Sequence, residues 1–203
     1  MNTVYFSAQF DSSASDPYHC PESLVEVAFA GRSNAGKSSA LNTITRNGKL
    51  ARTSKTPGRT QLINHFSLGN GKFLVDLPGY GYAQVSKVQQ KKWQASMTQY
   101  LVSRDSLRGL VLVMDIRHPL TDSDWQLIEL NQRGQAELHI LLTKSDKLSK
   151  NKVSNAVMSV QEALSKADVA ATLQDFSALK KQGIGDVHAI LDYWLFDIPL
   201  PES

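Results

Sequence analysis

The sequence predicts a three-layer α/β fold: a six-stranded, mostly parallel sheet with one antiparallel edge strand and helices on both faces. Three observations predict it. Short β-rich runs alternate with amphipathic stretches of helical length, the pattern of right-handed strand–helix–strand crossovers. Gly69, Asn70 and Gly71 separate two β-rich runs as a hairpin turn does, so that pair must be antiparallel. A G-x-x-x-x-G-K-S segment, residues 31–38, stands between the first strand and the first helix.

Taken in order, VEVAFA at 25–30 reads as a buried strand ending at Gly31, and KSSALNTITR at 37–46 as the helix behind it. TQLINHFSL at 60–68 and KFLVDL at 72–77 form the hairpin. RGLVLVMDI at 108–116, ELHILLT at 137–143 and VAATLQDFS at 169–177 supply three more strands. Helices are expected over 86–103, 121–133 and 150–166, with a last one starting near Ile184 and including Trp194. No repeat, low-complexity block or long Pro/Gly/Ser linker divides the chain. One domain over 23–197 is therefore expected, with an N-terminal extension at 1–22 and a tail at 198–203; residues 1–24 and those after Phe196 are poorly patterned and expected at the periphery.

Apolar residues make up 41% and charged residues 20% of the 203, enough to bury one core and far from the composition of disordered chains. No run approaches the length of a membrane span, and the opening MNTVYFSAQFDSS has neither a basic nor an apolar signal region, so a cytoplasmic protein without a membrane partner is expected. The lone Cys20 has no partner for an internal disulfide and reads as a tolerated thiol. The five histidines show no metal-ligand grouping and read as structural. The net charge of +3 hides an asymmetry. From Val27 to Val75 there is no Asp or Glu, while Arg32, Lys37, Arg46, Lys49, Arg52, Lys55, Arg59 and Lys72 contribute eight positive charges. A polyanion, nucleotide phosphate or RNA, is the expected partner of this third of the chain, against the plainer reading of a solvated basic face.

Four motifs supply the chemistry. Gly31, Arg32, Ser33, Asn34, Ala35, Gly36, Lys37 and Ser38, with Ser39 after them, form a phosphate loop whose backbone N–H groups and helix N-terminus favour phosphate oxygens. Lys37 would bridge the outer two phosphates and Ser38 would ligate Mg²⁺. Asp76, Leu77, Pro78 and Gly79 form D-x-x-G at a strand end: Asp76 is placed to hold a metal-bound water, and the Gly79 amide to sense the γ-phosphate. Thr143, Lys144, Ser145 and Asp146 form the base-choosing motif. The Asp146 carboxylate can accept from guanine N1–H and the 2-amino group, donors adenine lacks, while the Lys144 stem packs along the base. Phe176, Ser177 and Ala178 offer backbone N–H groups to the guanine carbonyl. The loop from Asn47 to Arg59 is long enough to close over a γ-phosphate, and Thr53, Thr56 and Thr60 are candidates for a second metal-binding hydroxyl. Thr60 is preferred because it opens a strand.

With these residues in place the chain resembles the translation-factor-related GTPases, and specifically the EngB (YihA/YsxC) family of ribosome-assembly GTPases. The likeness rests on GRSNAGKSS at 31–39, SKTPGRTQLIN at 54–64, DLPGYGYA at 76–83, DIRHPLTDSD at 115–124 and LTKSD at 142–146. It implies a P-loop G domain that binds GTP and GDP, depends on Mg²⁺, joins the large ribosomal subunit during its maturation and is needed for cell division and septation. It also implies nucleotide contacts from Gly58, Arg59, Thr60, Gln61 and Leu62. Tyr80 stands where many GTPases carry a water-orienting Gln, so its ring is expected to turn away and intrinsic hydrolysis to be slow, ~10⁻⁴ to 10⁻² s⁻¹. Asn34 resembles an asparagine that holds K⁺ in related GTPases; either K⁺ or a ribosomal element is expected to accelerate turnover. Lys87, Lys91 and Lys92 beside Trp93 are further candidates for rRNA phosphates. The catalytic set is thus Lys37, Thr60 and Asn34, and the metal set Ser38, Thr60 and Asp76. The expected state is a monomer. The competing reading is a small P-loop phosphotransferase, against which Asp146 argues.

Overall fold

The computed structural model describes residues 2–51, 62–80 and 87–200. The expected positions Thr53, Thr56, Gly58, Arg59, Thr60 and Gln61 lie outside the described residues, as does the side chain of Lys87.

Seven strands form one sheet: β1 (Gln9–Ala14), β2 (Val25–Gly31), β3 (Ile63–Gly69), β4 (Lys72–Asp76), β5 (Leu107–Asp115), β6 (Glu137–Thr143) and β7 (Thr172–Asp175), in the order β1-β3-β4-β2-β5-β6-β7. Strands β4, β2, β5, β6 and β7 are parallel, and β3 is antiparallel to β4 across the Gly69–Gly71 turn. Among the described residues five α-helices follow the expected pattern: α1 (Lys37–Ile44), α2 (Lys87–Ser103), α3 (Asp122–Asn131), α4 (Lys150–Lys166) and α5 (Ile184–Phe196).

The central strands show why both faces must be covered. Successive side chains of a strand point to opposite faces. Along β2, Val27 and Phe29 join one core with Leu41 of α1 and Leu191 and Trp194 of α5; Ala28 and Ala30 join the other with Tyr100 of α2, Ile128 of α3 and Leu164 of α4. In β5, Leu110 and Leu112 belong to the second core, Val111 and Val113 to the first. Burial at ~25 cal/mol per Å² on both faces makes these strands continuous apolar runs rather than alternating ones. At the strand end remote from the phosphate loop, buried Glu26 accepts from Ser23 Oγ (2.6 Å), Tyr100 Oη (2.6 Å) and the Arg104 guanidinium, pinning α2 to β2.

Two expectations are corrected. Among the described residues the sheet has seven strands, not six: β1 pairs antiparallel with β3 and so runs with the parallel strands, which leaves β3 as the one reversed strand and moves it one place in from the edge. Nor are residues 1–24 peripheral. Tyr5 is fully buried, stacks at 4.6 Å on the His188 ring and donates from its hydroxyl to Asp192 of α5 (2.7 Å). The reason is physical. In QFDSSA only Ala14 is buried, so this edge strand is held by backbone hydrogen bonds and carries no hydrophobic period.

Candidate functional site

Parallel register brings the carboxyl ends of the strands to one rim. Phe29 pairs with Asp76, Gly31 with Val113, Asp115 with Thr143, and Leu142 with Asp175. The four sequence motifs leave the sheet at this rim, so the architecture gathers them, as open α/β sheets do with ligand-binding loops.

The phosphate loop runs from Gly31 to Ser38 and enters α1 at Lys37. A Cβ on Gly31 would meet the Val113 carbonyl oxygen at 2.6 Å, so this position admits only glycine without displacing β5. Gly36 takes φ 102°, a conformation L side chains avoid, and Asn34 takes φ 65°, which Asn tolerates better than most. The loop is braced by Ala35 N–H to Arg32 O (3.0 Å) and Ser33 N–H to Tyr80 O (2.9 Å). Lys37 Nζ is in direct ion-pair contact with Asp76 Oδ1, and both side chains are 11% exposed. Asp76 is fixed in turn by the following Leu77 N–H, which donates to Phe29 O at 3.0 Å. Ser38 is half-buried beside Lys37, and Ser39 is exposed.

After Asp76 the chain passes through Pro78 and Gly79 to Tyr80, whose ring is buried. Its hydroxyl donates to Asp124 Oδ1 of α3 (2.8 Å), and its ring lies 5.5 Å from Trp93. Trp93 Nε1 donates to Pro78 O at 3.3 Å. Asp124 also accepts from the Thr121 N–H and hydroxyl (2.8 and 2.7 Å) and lies 3.9 Å from Arg32 Nε. Burial and the Asp124 carboxylate push the Tyr80 phenol well above its ordinary range, so it remains a donor.

The base motif is a set of charges sorted among neighbours. The Thr143 hydroxyl contacts the Ala35 carbonyl and lies 3.0 Å from the Met114 carbonyl, clipping the phosphate loop to β5 and β6. Lys144, at φ 61°, donates to Asn34 O (2.6 Å) and pairs with Asp115 Oδ2 (3.0 Å). Ser145 N–H donates to Phe176 O (3.2 Å), and Phe176 N–H to Leu142 O (2.8 Å), which fixes the two loops together. Asp146 accepts from Ser177 Oγ (2.7 Å) and pairs with Lys147 (3.4 Å). The Ser177 hydrogen bond, with the Lys147 charge behind it, holds the Asp146 carboxyl below the usual range, so it is ionised at neutral pH. Of the amides expected to face the guanine carbonyl, Ser177 N–H is spent on Gln182 O (3.2 Å); that of Ala178 has no partner among the described residues. Leu62 is half-buried at the entry to β3.

Sequence reasoning missed three contributions. The Ser177 side chain, rather than its amide, serves the site by orienting Asp146. Asp124 anchors Tyr80. Asp115 binds Lys144 and also takes the Arg117 guanidinium in a two-point contact (2.9 and 2.7 Å). Burial would raise the Asp115 carboxyl, but hydrogen bonds from Arg117 and Lys144 outweigh it and hold the group well below the carboxylate range. The signal for Asp115, Arg117 and Asp124 lay in DIRHPLTDSD, which carried a resemblance but no assigned chemistry.

A phosphate loop meeting an aspartate from the neighbouring strand, with a T-K-S-D loop braced against the phosphate loop, defines the class: a P-loop GTPase. Comparison with known proteins agrees. The family described as 50S ribosome-binding GTPase matches residues 26–144. A probable GTP-binding protein EngB of Klebsiella pneumoniae is 50% identical over all of this chain and 97% of its own length, and the Escherichia coli protein of the same name is equally similar. The chain belongs to the EngB family of GTP-binding proteins. Its fold is shared with a crystal structure of a probable GTP-binding protein engB (TM-score 0.68, 21% identity, 86% of this chain and all of that one). It is shared also with Era in complex with MgGDPNP and a segment of 16S ribosomal RNA (TM-score 0.64, 18% identity, 90% of this chain and 59% of that one). Among the described residues no helix is long and apolar enough to cross a membrane.

Proposed function

We propose that this GTPase is a Mg²⁺-dependent switch in assembly of the large ribosomal subunit, cytoplasmic and monomeric, and through that role is needed for cell division and septation. The observation that carries the reading is the meeting of Lys37 with Asp76 at the end of a loop whose amides favour phosphate. With a triphosphate and its metal bound, Lys37 would turn from Asp76 to the phosphate oxygens, Asp76 would face the hydration shell of the metal, and Ser38 would hold it directly. A hydroxyl beside a carboxylate is an all-oxygen donor set that fits Mg²⁺ and suits no thiophilic metal. Mg²⁺ supplies charge neutralisation between the phosphates. The chain supplies grip through Lys37 and base choice through Asp146. Thr60 is the preferred second hydroxyl for the metal and K⁺ at Asn34 the preferred accelerator.

Ribosomal partnership is supported by the family and by the distribution of charge. Lys49, Lys91 and Lys92 are exposed, in keeping with an RNA-facing surface, whereas Lys72 is occupied by Leu195 O (2.6 Å) and the Phe196 ring, and Arg46 lies over the Phe6 ring (4.3 Å). The test is binding to large-subunit precursor particles with GDP against a nonhydrolysable GTP analogue. A switch binds in one state at least tenfold better than in the other. Equal binding in both states overturns the reading. Affinity is expected to fall steeply with salt, and Lys91→Glu with Lys92→Glu to weaken particle binding without changing nucleotide affinity.

A further inference from the structure

Asp115 ends β5 at the nucleotide rim, in register with Thr143, and its carboxylate is buried. It is met from two sides. Arg117 reaches it with Nε and Nη2 (2.9 and 2.7 Å) and with its backbone N–H (3.1 Å), and Lys144 Nζ lies at 3.0 Å. Lys144 also donates to the Asn34 carbonyl at 2.6 Å, so its ammonium is shared between the phosphate loop and Asp115. Asp146 stands two residues beyond Lys144, on the same loop as one of the two cations that Asp115 holds. Yet the charged groups are sorted: Lys144 and Arg117 bind Asp115, while Asp146 is held by Ser177 and Lys147.

We propose that Asp115 is a positioning residue for guanine recognition: by detaining the Lys144 and Arg117 cations it spares the Asp146 carboxylate any competitor beyond Ser177 and Lys147, and leaves its remaining lone pairs to the N1–H and 2-amino donors of the base. The inference rests on the reading that Asp146 takes the guanine edge. Cations and base donors compete for the same carboxylate oxygens, and a released guanidinium would satisfy both of them at once. Asp115 therefore acts through charge, not bulk. It also sets the direction of the Lys144 stem, which the base plane needs as a wall.

The experiment measures the dissociation constants of GDP and IDP by calorimetry, with melting curves to check folding. IDP keeps N1–H but lacks the 2-amino group. Asp115→Asn keeps the shape and removes the charge; it is expected to weaken GDP more than IDP and to cut the GDP preference about tenfold, the worth of one hydrogen bond to a charged group. Adding Arg117→Ala to that variant removes one released cation and is expected to return part of the preference, which a merely structural role would not do. Asp115→Glu keeps the charge and must keep the GDP/IDP ratio within about twofold, even where both affinities fall, so it tests the charge without Asp115→Asn. Parallel losses for GDP and IDP in Asp115→Asn, no change in either, or a collapsed ratio in Asp115→Glu overturns the proposal. Asp146→Asn separates the two levels. Gain of xanthosine diphosphate binding at the expense of GDP supports the base reading, and failure of Asp115→Asn alone then rejects only the role of Asp115. Unchanged GDP preference in Asp146→Asn rejects both.

Discussion

Lys37 and Asp76 meet across 39 residues of sequence as a nearly buried ion pair at the mouth of the phosphate loop. Such a pair contributes little net stability when whole, but removal of one partner leaves the other charge buried and uncompensated. Lys37→Ala is therefore expected to destabilise the nucleotide-free protein by about 3 kcal/mol, a fall of roughly 6–12 °C in Tm for a chain of this size. Lys37→Ala combined with Asp76→Asn should recover at least half of that loss. GTP hydrolysis should fall at least about a hundredfold in either variant, since the phosphate grip is gone. Thermal melts and single-turnover hydrolysis check both parts; a double variant as unstable as the single one would show that the ion pair is not the cause.

Tyr80 occupies the place of a water-orienting glutamine but spends its hydroxyl on Asp124. Tyr80→Phe should leave GTP hydrolysis within about twofold. Stability should drop by about 1–2 kcal/mol, because Asp124 loses one donor and keeps those of Thr121. Chemical denaturation and single-turnover kinetics on the same preparation decide it. A large kinetic loss with normal stability would place the phenol in the reaction.

The pattern of what the sequence disclosed follows from range. β2, β5 and β6 were legible because strands buried on both faces are unbroken apolar runs, and the phosphate loop and T-K-S-D loop because each is a contiguous spacing at a strand end. β1 was not legible: an edge strand with one buried side chain has no period to read. Nor were the pairings Ser177–Asp146, Tyr80–Asp124 and Lys144–Asp115, which join loops 29 to 44 residues apart and exist only once strand register has set their distance. Tyr5 was missed for the same reason, since its partner Asp192 lies 187 residues away.

Three buried histidines predict the response to acid. Burial pushes His139 down to about 4, and also lowers His65 and His188. A histidine kept neutral in the fold but free to charge near pH 6.5 when unfolded leaves the unfolded state binding more protons between those values. Stability is then constant above about pH 6.5 and declines as pH falls toward 4, with up to about 3 kcal/mol from His139 alone. The carboxylates held low, Asp115 and Glu26, begin to add their loss only as pH falls to about 5 and into the ordinary carboxylate range, so the decline between about pH 6.5 and 5 belongs to the histidines. Melts between pH 7.5 and 4.5 should show the decline, and His139→Gln should flatten it. An unchanged slope in that variant would assign the acid response elsewhere.

Asn34 gives the sharpest test of monovalent-cation activation, because its backbone and side chain are separable. Its φ of 65° and its carbonyl bond to Lys144 are main-chain properties, whereas cation binding needs the side-chain amide, which is exposed on the loop. Asn34→Gly keeps the left-handed conformation without strain and removes only the amide. GTP turnover in matched K⁺ and Na⁺ buffers should differ at least about fivefold in the wild type, and Asn34→Gly should reduce the K⁺ rate to the Na⁺ rate while GDP affinity stays within about threefold. Asn34→Ala should show the same kinetic loss and be about 1 kcal/mol less stable than Asn34→Gly, the cost of a Cβ in that conformation. Equal wild-type rates in the two salts would leave acceleration to a ribosomal element, and a K⁺ response surviving in Asn34→Gly would move the ion to other donors.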